Sequence, residues 1–144
     1  MQSVEGRHVE WQQAEAVWEA APNVIATWAF GSAQGGHIRK GGDLDIGILF
    51  KAAPSLDELA ELRSDLQQAL QFDEIDLVVL NRANPLLRFE ALSGRLLFCR
   101  DLVSRVDFAS LTAREYEDEM AQLRRAMSMS SSFSAQRAPS GYWG

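Results

Sequence analysis

The hydrophobic residues recur with strand spacing in some segments and with helical spacing in others, and short polar connections separate these segments. Runs of β-branched, aromatic and other apolar residues predict four strands, at residues 24–30, 43–50, 74–80 and 95–99. Helical spacing predicts four helices, at residues 8–20, 55–71, 84–91 and about 105–127. This order predicts the α/β (α+β) fold class, with a small mixed β-sheet flanked by helices.

The length and composition indicate a single domain. A chain of 144 residues is long enough for one sizeable core, and 47% hydrophobic with 24% charged residues excludes a wholly disordered chain. We assign residues 1–127 to the domain, with a core at about 22–100 and a C-terminal helix at about 105–127. Residues 128–144 are rich in Ser and lack periodicity, so we expect them to form a flexible tail.

The charge balance and the scarcity of cysteine exclude several functions. A net charge of −6 argues against direct nucleic-acid binding, because neutralising phosphates requires a basic surface. The single cysteine, Cys99, excludes an internal disulfide and a cysteine-built zinc site. No apolar run reaches the ~18 residues of a membrane span, and residues 1–10 are too polar for a signal peptide, so we expect a cytoplasmic protein without membrane contact.

Three carboxylates hold positions that favour a shared site. Asp43 and Asp45 are two residues apart on a predicted strand, so both side chains point to one face while the apolar residues beside them point to the other. Asp76 lies at a similar polar position in the next predicted strand. If these strands are neighbours, the three carboxylates converge. Such a cluster is electrostatically costly without a cation, and all-oxygen ligands favour Mg²⁺ or Mn²⁺. Two such ions would assist a phosphoryl displacement.

The end of the first predicted strand carries a second signal. Gly31 and Ser32 close that strand, and a strand that turns into a helix through Gly-Ser would present backbone N–H groups and a hydroxyl to phosphate oxygens. The glycine-rich segment that follows contains Arg39 and Lys40. These two cations either stabilise a leaving pyrophosphate or belong to a solvated loop.

Together these signals resemble a known family. Residues 30–32 read Phe-Gly-Ser, ten residues follow, Asp43-Leu44-Asp45 comes next, and Asp76 stands in a later strand. This pattern resembles the minimal nucleotidyltransferase (MNT) antitoxins of the DNA polymerase β-like nucleotidyltransferase superfamily. The resemblance covers about residues 22–100 and continues more weakly over residues 106–116. One departure is Gly42, where many relatives carry Ser.

The resemblance implies a function. Members of this family are commonly antitoxins encoded beside a HEPN-domain ribonuclease toxin, with which they form hetero-oligomeric complexes. It implies Mg²⁺-dependent transfer of AMP from ATP to a tyrosine hydroxyl of the toxin, with release of pyrophosphate. By this resemblance, Gly31 and Ser32 bind the β- and γ-phosphates. Asp43 and Asp45 bind Mg²⁺, and Asp76 helps bind a second ion and acts as general base.

Alternative functions follow from the same residues. The protein could neutralise its partner by binding alone, without chemistry, or it could be a small-molecule nucleotidyltransferase. The acidic segment at residues 114–119 is either a solvated helix face or a docking surface for a basic partner.

Overall fold

The computed structural model describes residues 6–136, which form two β-sheets and four α-helices. The strands are β1 (Gly6–His8), β2 (Val24–Phe30), β3 (His37–Arg39), β4 (Leu44–Phe50), β5 (Ile75–Val79) and β6 (Arg95–Cys99). The helices are α1 (Glu15–Glu19), α2 (Leu56–Leu70), α3 (Pro85–Leu92) and α4 (Leu102–Gln136). Short 3₁₀ turns cover Trp11–Ala14 and Leu80–Arg82.

The main sheet has four strands in the order β5-β4-β2-β6. Strand β2 pairs antiparallel with β4 and β6, whereas β4 pairs parallel with β5. The parallel pair is possible because helix α2 returns the chain to the starting end of β4 before β5 begins. The predicted fold class, a small mixed sheet flanked by helices, is confirmed.

The two faces of this sheet pack differently. We call the side packed against α1 and α2 the closed face; there the side chains of Leu44, Ile46 and Ile48 are fully buried with Leu66 of α2. We call the other side, partly covered by α3 and α4, the open face. Its smaller core includes Leu49. The period of two in an extended strand places successive side chains of β4 on these two faces in turn.

Helix α2 follows its sequence prediction closely. The Ser55 hydroxyl accepts a hydrogen bond from the Glu58 backbone N–H at 3.0 Å, which caps the first turn. The helix ends at Gln71, whose φ of 55° turns the chain out of the helical conformation. Its buried leucines complete the closed-face core.

The first predicted helix is wrong in part. Residues 8–20 were expected to form one helix, but the structure has β1, a 3₁₀ turn and the short α1 instead. Strand β1 pairs antiparallel with β3, and the Val9 N–H donates to the Gly36 carbonyl at 2.8 Å. These partners lie about thirty residues away in sequence, so local spacing gave no sign of them.

Helix α4 is longer than predicted at both ends. It begins at Leu102 and continues to Gln136, so residues 128–136 of the expected flexible tail are helical. No Gly or Pro interrupts the sequence between Gly94 and Pro139, and a helix can continue without an apolar stripe when nothing breaks it. The rest of the predicted tail, residues 137–144, lies outside the described residues.

Arg88 fixes α3 against the sheet and α4. Its guanidinium donates to the backbone carbonyls of Leu80 and Asn81 and to the Glu115 carboxylate, each at 2.9 Å. It also lies over the Phe108 ring, 5.2 Å from the ring centre. These contacts hold α3 across the open face, which positions the side chains described next. Among residues 6–136, no helix combines the length and apolar character needed to cross a membrane.

Candidate active site

The predicted acids meet on the open face. Strands β4 and β5 are neighbours, and Asp45 is the direct register partner of Asp76. Asp43 precedes β4 by one residue and lies two positions before Asp45. Asp43 and Asp76 are exposed, while Asp45 is partly buried between them. The three acids therefore lie on one side of the sheet, with Asp45 and Asp76 in register on neighbouring strands.

The electrostatics of Asp45 reflect this crowding. Partial burial raises the pKa of the Asp45 carboxyl, and the negative charges of Asp43, Asp76 and Glu90 raise it further. Glu90 belongs to α3 and was not a sequence candidate. No motif spacing relates Glu90 to the other acids, because only the docking of α3 across the open face brings it near Asp45. A cation would relieve this concentration of negative charge.

Gly31, directly after β2, lies against the Asp45 carboxylate. Its φ is 77°, a conformation that glycine adopts without strain. A β-carbon at this position would lie 2.5 Å from the Asp45 Oδ2 atom, so a larger residue would displace the carboxylate. The glycine of the predicted Gly-Ser pair is thus in direct proximity to the acid cluster, and the Ser32 side chain beside it is exposed to solvent.

The segment after Ser32 corrects one expectation. It is not a helix, so the predicted helix N-terminus at Gly31 and Ser32 is absent. Residues 31–36 form successive turns, closed by a 2.8 Å hydrogen bond from the Gly36 N–H to the Ala33 carbonyl. Consecutive glycines disfavour a helix here, and the Trp11 indole N–H donates to the Gln34 carbonyl at 3.0 Å, which holds the turns against the N-terminal segment.

A cavity of about 570 Å³ opens beside Gly31 on the open face. We call it the aromatic cavity, because the rings of Phe89 and Tyr116 stack along it with centroids 3.9 Å apart and planes 11° apart. Glu90 of α3 and Gly94, just before β6, also line it. Sequence reasoning missed this cavity, since its walls come from β2, α3 and α4.

Arg39 and Lys40 line a different cavity, of about 420 Å³. They share it with Arg7, whose guanidinium lies 5.2 Å from the centre of the Phe72 ring and donates to the Gln71 carbonyl. Phe72 packs with the closed-face core. The structure therefore does not bring Arg39 and Lys40 into the cavity beside Gly31, and their role at a leaving pyrophosphate stays a prediction.

The acids suit a cation that arrives with its own oxygen ligands. Within residues 6–136, no three His, Cys, Asp or Glu side chains lie close enough to form a metal site by themselves. Mg²⁺ commonly binds through one or two carboxylates together with substrate phosphates and water. Asp43, Asp45 and Asp76 supply only oxygen ligands, and a nearby cation would favour the charged form of Asp45, whose pKa is raised by partial burial and then by the neighbouring negative charges.

Sequence comparison identifies the family. Residues 12–102 match the family described as Polymerase beta, Nucleotidyltransferase. The chain belongs to this polymerase beta nucleotidyltransferase family. The match includes β2, β4 and β5 together with Gly31, directly after β2, and the three acids. The protein is therefore a nucleotidyltransferase, as its resemblance to the minimal nucleotidyltransferases implied. None of the curated proteins is significantly similar to it.

Solved structures share this nucleotidyltransferase fold. A chain of a toxin–antitoxin complex with AMP-PNP is 22% identical, with a TM-score of 0.67 over 83% of this chain and 96% of that one. A chain from the complex of tri-AMPylated Shewanella oneidensis HEPN toxin with MNT antitoxin is 21% identical, with a TM-score of 0.62 over 82% and 92% of the two chains. A structure described as a minimal nucleotidyltransferase is 27% identical, with a TM-score of 0.51 over 58% and 87%.

Proposed function

We propose that this nucleotidyltransferase is the antitoxin of a HEPN/MNT toxin–antitoxin system and that it transfers AMP from ATP to a tyrosine hydroxyl of its toxin. The observation that carries the proposal is that Asp45 and Asp76 are register partners on two parallel strands and that Gly31 lies against the Asp45 carboxylate. The similarity to chains from toxin–antitoxin complexes, one with AMP-PNP and one with an AMPylated HEPN toxin, supports the substrate and the partner. A cytoplasmic location fits the requirement for ATP.

The chemistry assigns a role to each acid. Asp43 and Asp45 would hold Mg²⁺, and Asp76 would help to hold a second ion; bound there, Mg²⁺ supplies charge neutralisation for the phosphates. Asp76, at the exposed edge strand, accepts the proton of the tyrosine hydroxyl, which ionises with difficulty at neutral pH because its usual pKa is about 10. The hydroxyl oxygen forms a bond to the α-phosphorus, and the bond from that phosphorus to the pyrophosphate oxygen breaks.

The exposure of the site favours a protein as acceptor. Asp43 and Asp76 are both open to solvent, and Asp76 lies on the edge strand β5 of the main sheet. A tyrosine on the surface of a partner can approach this edge without entering a pocket. The partner would then supply the surroundings of the acceptor hydroxyl.

The test uses the purified protein, its candidate HEPN partner, Mg²⁺ and ATP labelled at the α-phosphate. We expect label on the partner and an intact mass raised by one or more AMP units. The double variant Asp43→Asn/Asp45→Asn should abolish both. The matched control is Asp57→Asn/Asp65→Asn, which removes two exposed acids of α2 and should leave transfer unchanged.

Two results would contradict the proposal. If the Asp43→Asn/Asp45→Asn variant still suppresses toxicity and no label reaches the partner, neutralisation occurs by binding alone. If label appears on a small hydroxyl compound but not on the partner, the protein is a small-molecule nucleotidyltransferase.

A further inference from the structure

The cavity lined by Arg7, Arg39 and Lys40, which we call the basic cavity, concentrates positive charge in an acidic chain. Its lining contains these three cationic side chains and one acid, Glu74, whereas the whole chain has a net charge of −6. Among residues 6–136, the ion pairs between side chains lie outside this cavity, so none of them neutralises its cations. An anion is the ligand that this charge favours.

The fold holds these cations in place around an open space. The Arg7 guanidinium donates to the Gln71 carbonyl at 2.6 Å, and its remaining N–H groups are donors for a ligand. The Gly42 N–H donates to the Arg39 carbonyl at 2.8 Å, which closes the turn between β3 and β4. At Gly41 a β-carbon would meet nothing within 4 Å, and the cavity volume of about 420 Å³ is within the range of small-molecule sites.

The basic cavity adjoins the acid cluster where β4 and β5 begin. Gly42 lines the cavity and directly precedes Asp43, so their Cα atoms are about 3.8 Å apart. Glu74 lines it two residues before Asp76, which places their Cα atoms no more than about 7–8 Å apart. The Leu44 N–H donates to the Glu74 carbonyl at 2.9 Å and joins the two segments.

This position is on the acceptor side of the site. In an in-line displacement the leaving group departs opposite to the attacking hydroxyl. A hydroxyl activated by Asp76 attacks from β5, so pyrophosphate departs across β4 toward β2 and Gly31. Neither β2 nor Gly31 lines the basic cavity. Its cations therefore face the acceptor and not the leaving pyrophosphate.

We propose that the basic cavity binds a phosphate carried by the acceptor, namely the phosphodiester of an AMP unit that has already been transferred. This inference rests on the proposed nucleotidyl transfer. The first transfer converts a neutral tyrosine hydroxyl into an anionic phosphodiester, which suits three cations better than the unmodified acceptor does. It assigns Arg7, Arg39 and Lys40 to binding of the modified acceptor.

The same placement allows a second transfer. The AMP unit on the acceptor has free ribose hydroxyls only a few bonds from its phosphodiester. With that phosphodiester in the basic cavity, a ribose hydroxyl is held near Asp76. Its oxygen forms a bond to the α-phosphorus of a new ATP, Asp76 accepts its proton, and the bond from that phosphorus to the pyrophosphate oxygen breaks.

The first test measures binding without transfer. Calorimetry of the full chain, in the absence of ATP, would compare a peptide whose tyrosine carries AMP with the same peptide carrying a free tyrosine. We expect the wild type to bind the adenylylated peptide at least about tenfold more tightly, as charge-assisted hydrogen bonds to a phosphate allow. The double variant Arg39→Gln/Lys40→Gln should lose this preference.

The second test follows successive transfers to the candidate HEPN partner with Mg²⁺ and ATP. Intact mass distinguishes partner with one AMP from partner with two. Arg39→Gln/Lys40→Gln should lower the rate of the second transfer, relative to the first, by at least about tenfold. Arg39→Lys/Lys40→Arg keeps both charges and should keep the wild-type ratio. The control Lys51→Gln/Arg63→Gln removes two exposed cations outside the cavity and should also keep it.

Other outcomes overturn the inference. If Arg39→Gln/Lys40→Gln slows both transfers equally and raises the KM for ATP, the cations bind the phosphates of ATP and not those of the acceptor. If the preference for the adenylylated peptide survives in this variant, the phosphodiester binds elsewhere. If the wild type labels the partner but does not prefer the adenylylated peptide, only the inference fails. If the wild type labels no partner and yet shows the preference, the proposed function fails and the phosphate site remains.

Discussion

The two faces of β4 show how one strand serves two purposes. On the closed face, Leu44, Ile46 and Ile48 are fully buried against the helices. On the open face, Asp43 and Asp45 stand beside Asp76 of the neighbouring strand, and α3 and α4 leave a cavity uncovered. The same alternation of side chains therefore produces a tightly packed core on one side of the strand and an acid cluster on the other.

The two faces contribute with opposite sign to the free energy of folding. Burial of apolar side chains stabilises the closed face. On the open face, the partial burial of Asp45 and the like charges beside it both disfavour the charged form of this carboxyl, which raises its pKa. We expect the closed face to determine stability and the open face to determine activity.

The largest expected effect follows from substituting the acid at the centre of the open face. Asp45→Asn should lower the rate of AMP transfer by about 10³-fold or more, because metal assistance contributes several kcal/mol to such reactions. The free energy of unfolding should stay the same or rise, since one like charge is removed. Labelled transfer and urea unfolding of the same preparation measure both. A transfer rate within tenfold of the wild type would contradict the division between the faces.

On the closed face we expect a substitution to change the stability of the protein. Leu44→Ala should lower the free energy of unfolding by about 2–5 kcal/mol, because a fully buried side chain leaves a cavity. The control is Leu56→Ala on α2, where the side chain is 82% exposed and the change should lie within about 0.5 kcal/mol. Urea unfolding checks both. Equal losses for the two variants would show that burial does not explain the stability of this face.

A third, smaller effect concerns the contact between Gly31 and Asp45. Gly31→Ala and Gly41→Ala both place a side chain at a positive φ, 77° and 79°, which costs about 1–2 kcal/mol. At Gly31 the new β-carbon also meets the Asp45 carboxylate, whereas at Gly41 it meets nothing within 4 Å. We expect similar destabilisation in both variants but loss of AMP transfer only in Gly31→Ala. Similar activities would mean that the Gly31–Asp45 contact is dispensable.

The smallest effect is a pH dependence. Because the pKa of Asp45 is raised in the folded state, the folded protein holds this proton more tightly than the unfolded chain. The associated stability is present below the unfolded value of 3.8 and is lost as the pH rises through the higher folded value. Unfolding at a series of pH values should therefore show Asp45→Asn gaining stability relative to the wild type over that rise.

A matched control makes the pH experiment specific. Asp65→Asn removes an acid from the exposed surface of α2 and should not reproduce the relative gain. Glu90→Gln removes one of the charges that raise the pKa of Asp45, so the loss of stability should begin at a lower pH than in the wild type. A relative stability of Asp45→Asn that falls as the pH rises would contradict the assigned direction.

Much of the acid site could be predicted because its information is local. The alternation in residues 43–50 identified both the buried apolar face and the two acids opposite it, and the boundaries of β4 differ from the prediction by one residue. The proximity of Asp76 to Asp45 depends also on β4 and β5 being neighbours. The sequence analysis could assume this adjacency but could not establish it.

The parts that could not be predicted depend on contacts between distant segments. Strand β1 was not predicted, and its last residue, His8, was assigned to the helix at residues 8–20, because its partner β3 lies far along the chain. Gly31 and Ser32 were expected at a helix N-terminus, but contacts with the N-terminal segment hold turns there. Glu90, Phe89 and Tyr116 belong to no motif found in the sequence.

By itself, the sequence determined which side chains share a face of each strand and that three acids with a Gly-Ser pair suit a cation and a phosphoryl group. These features depend on the period of two in an extended backbone and on the chemistry of the residues, both of which are local. Only the tertiary structure decided which strands are neighbours, how close Glu90 comes to Asp45, and that a cavity with an aromatic wall opens beside Gly31. These depend on the packing of α3 and α4 on the sheet, where segments distant in sequence meet.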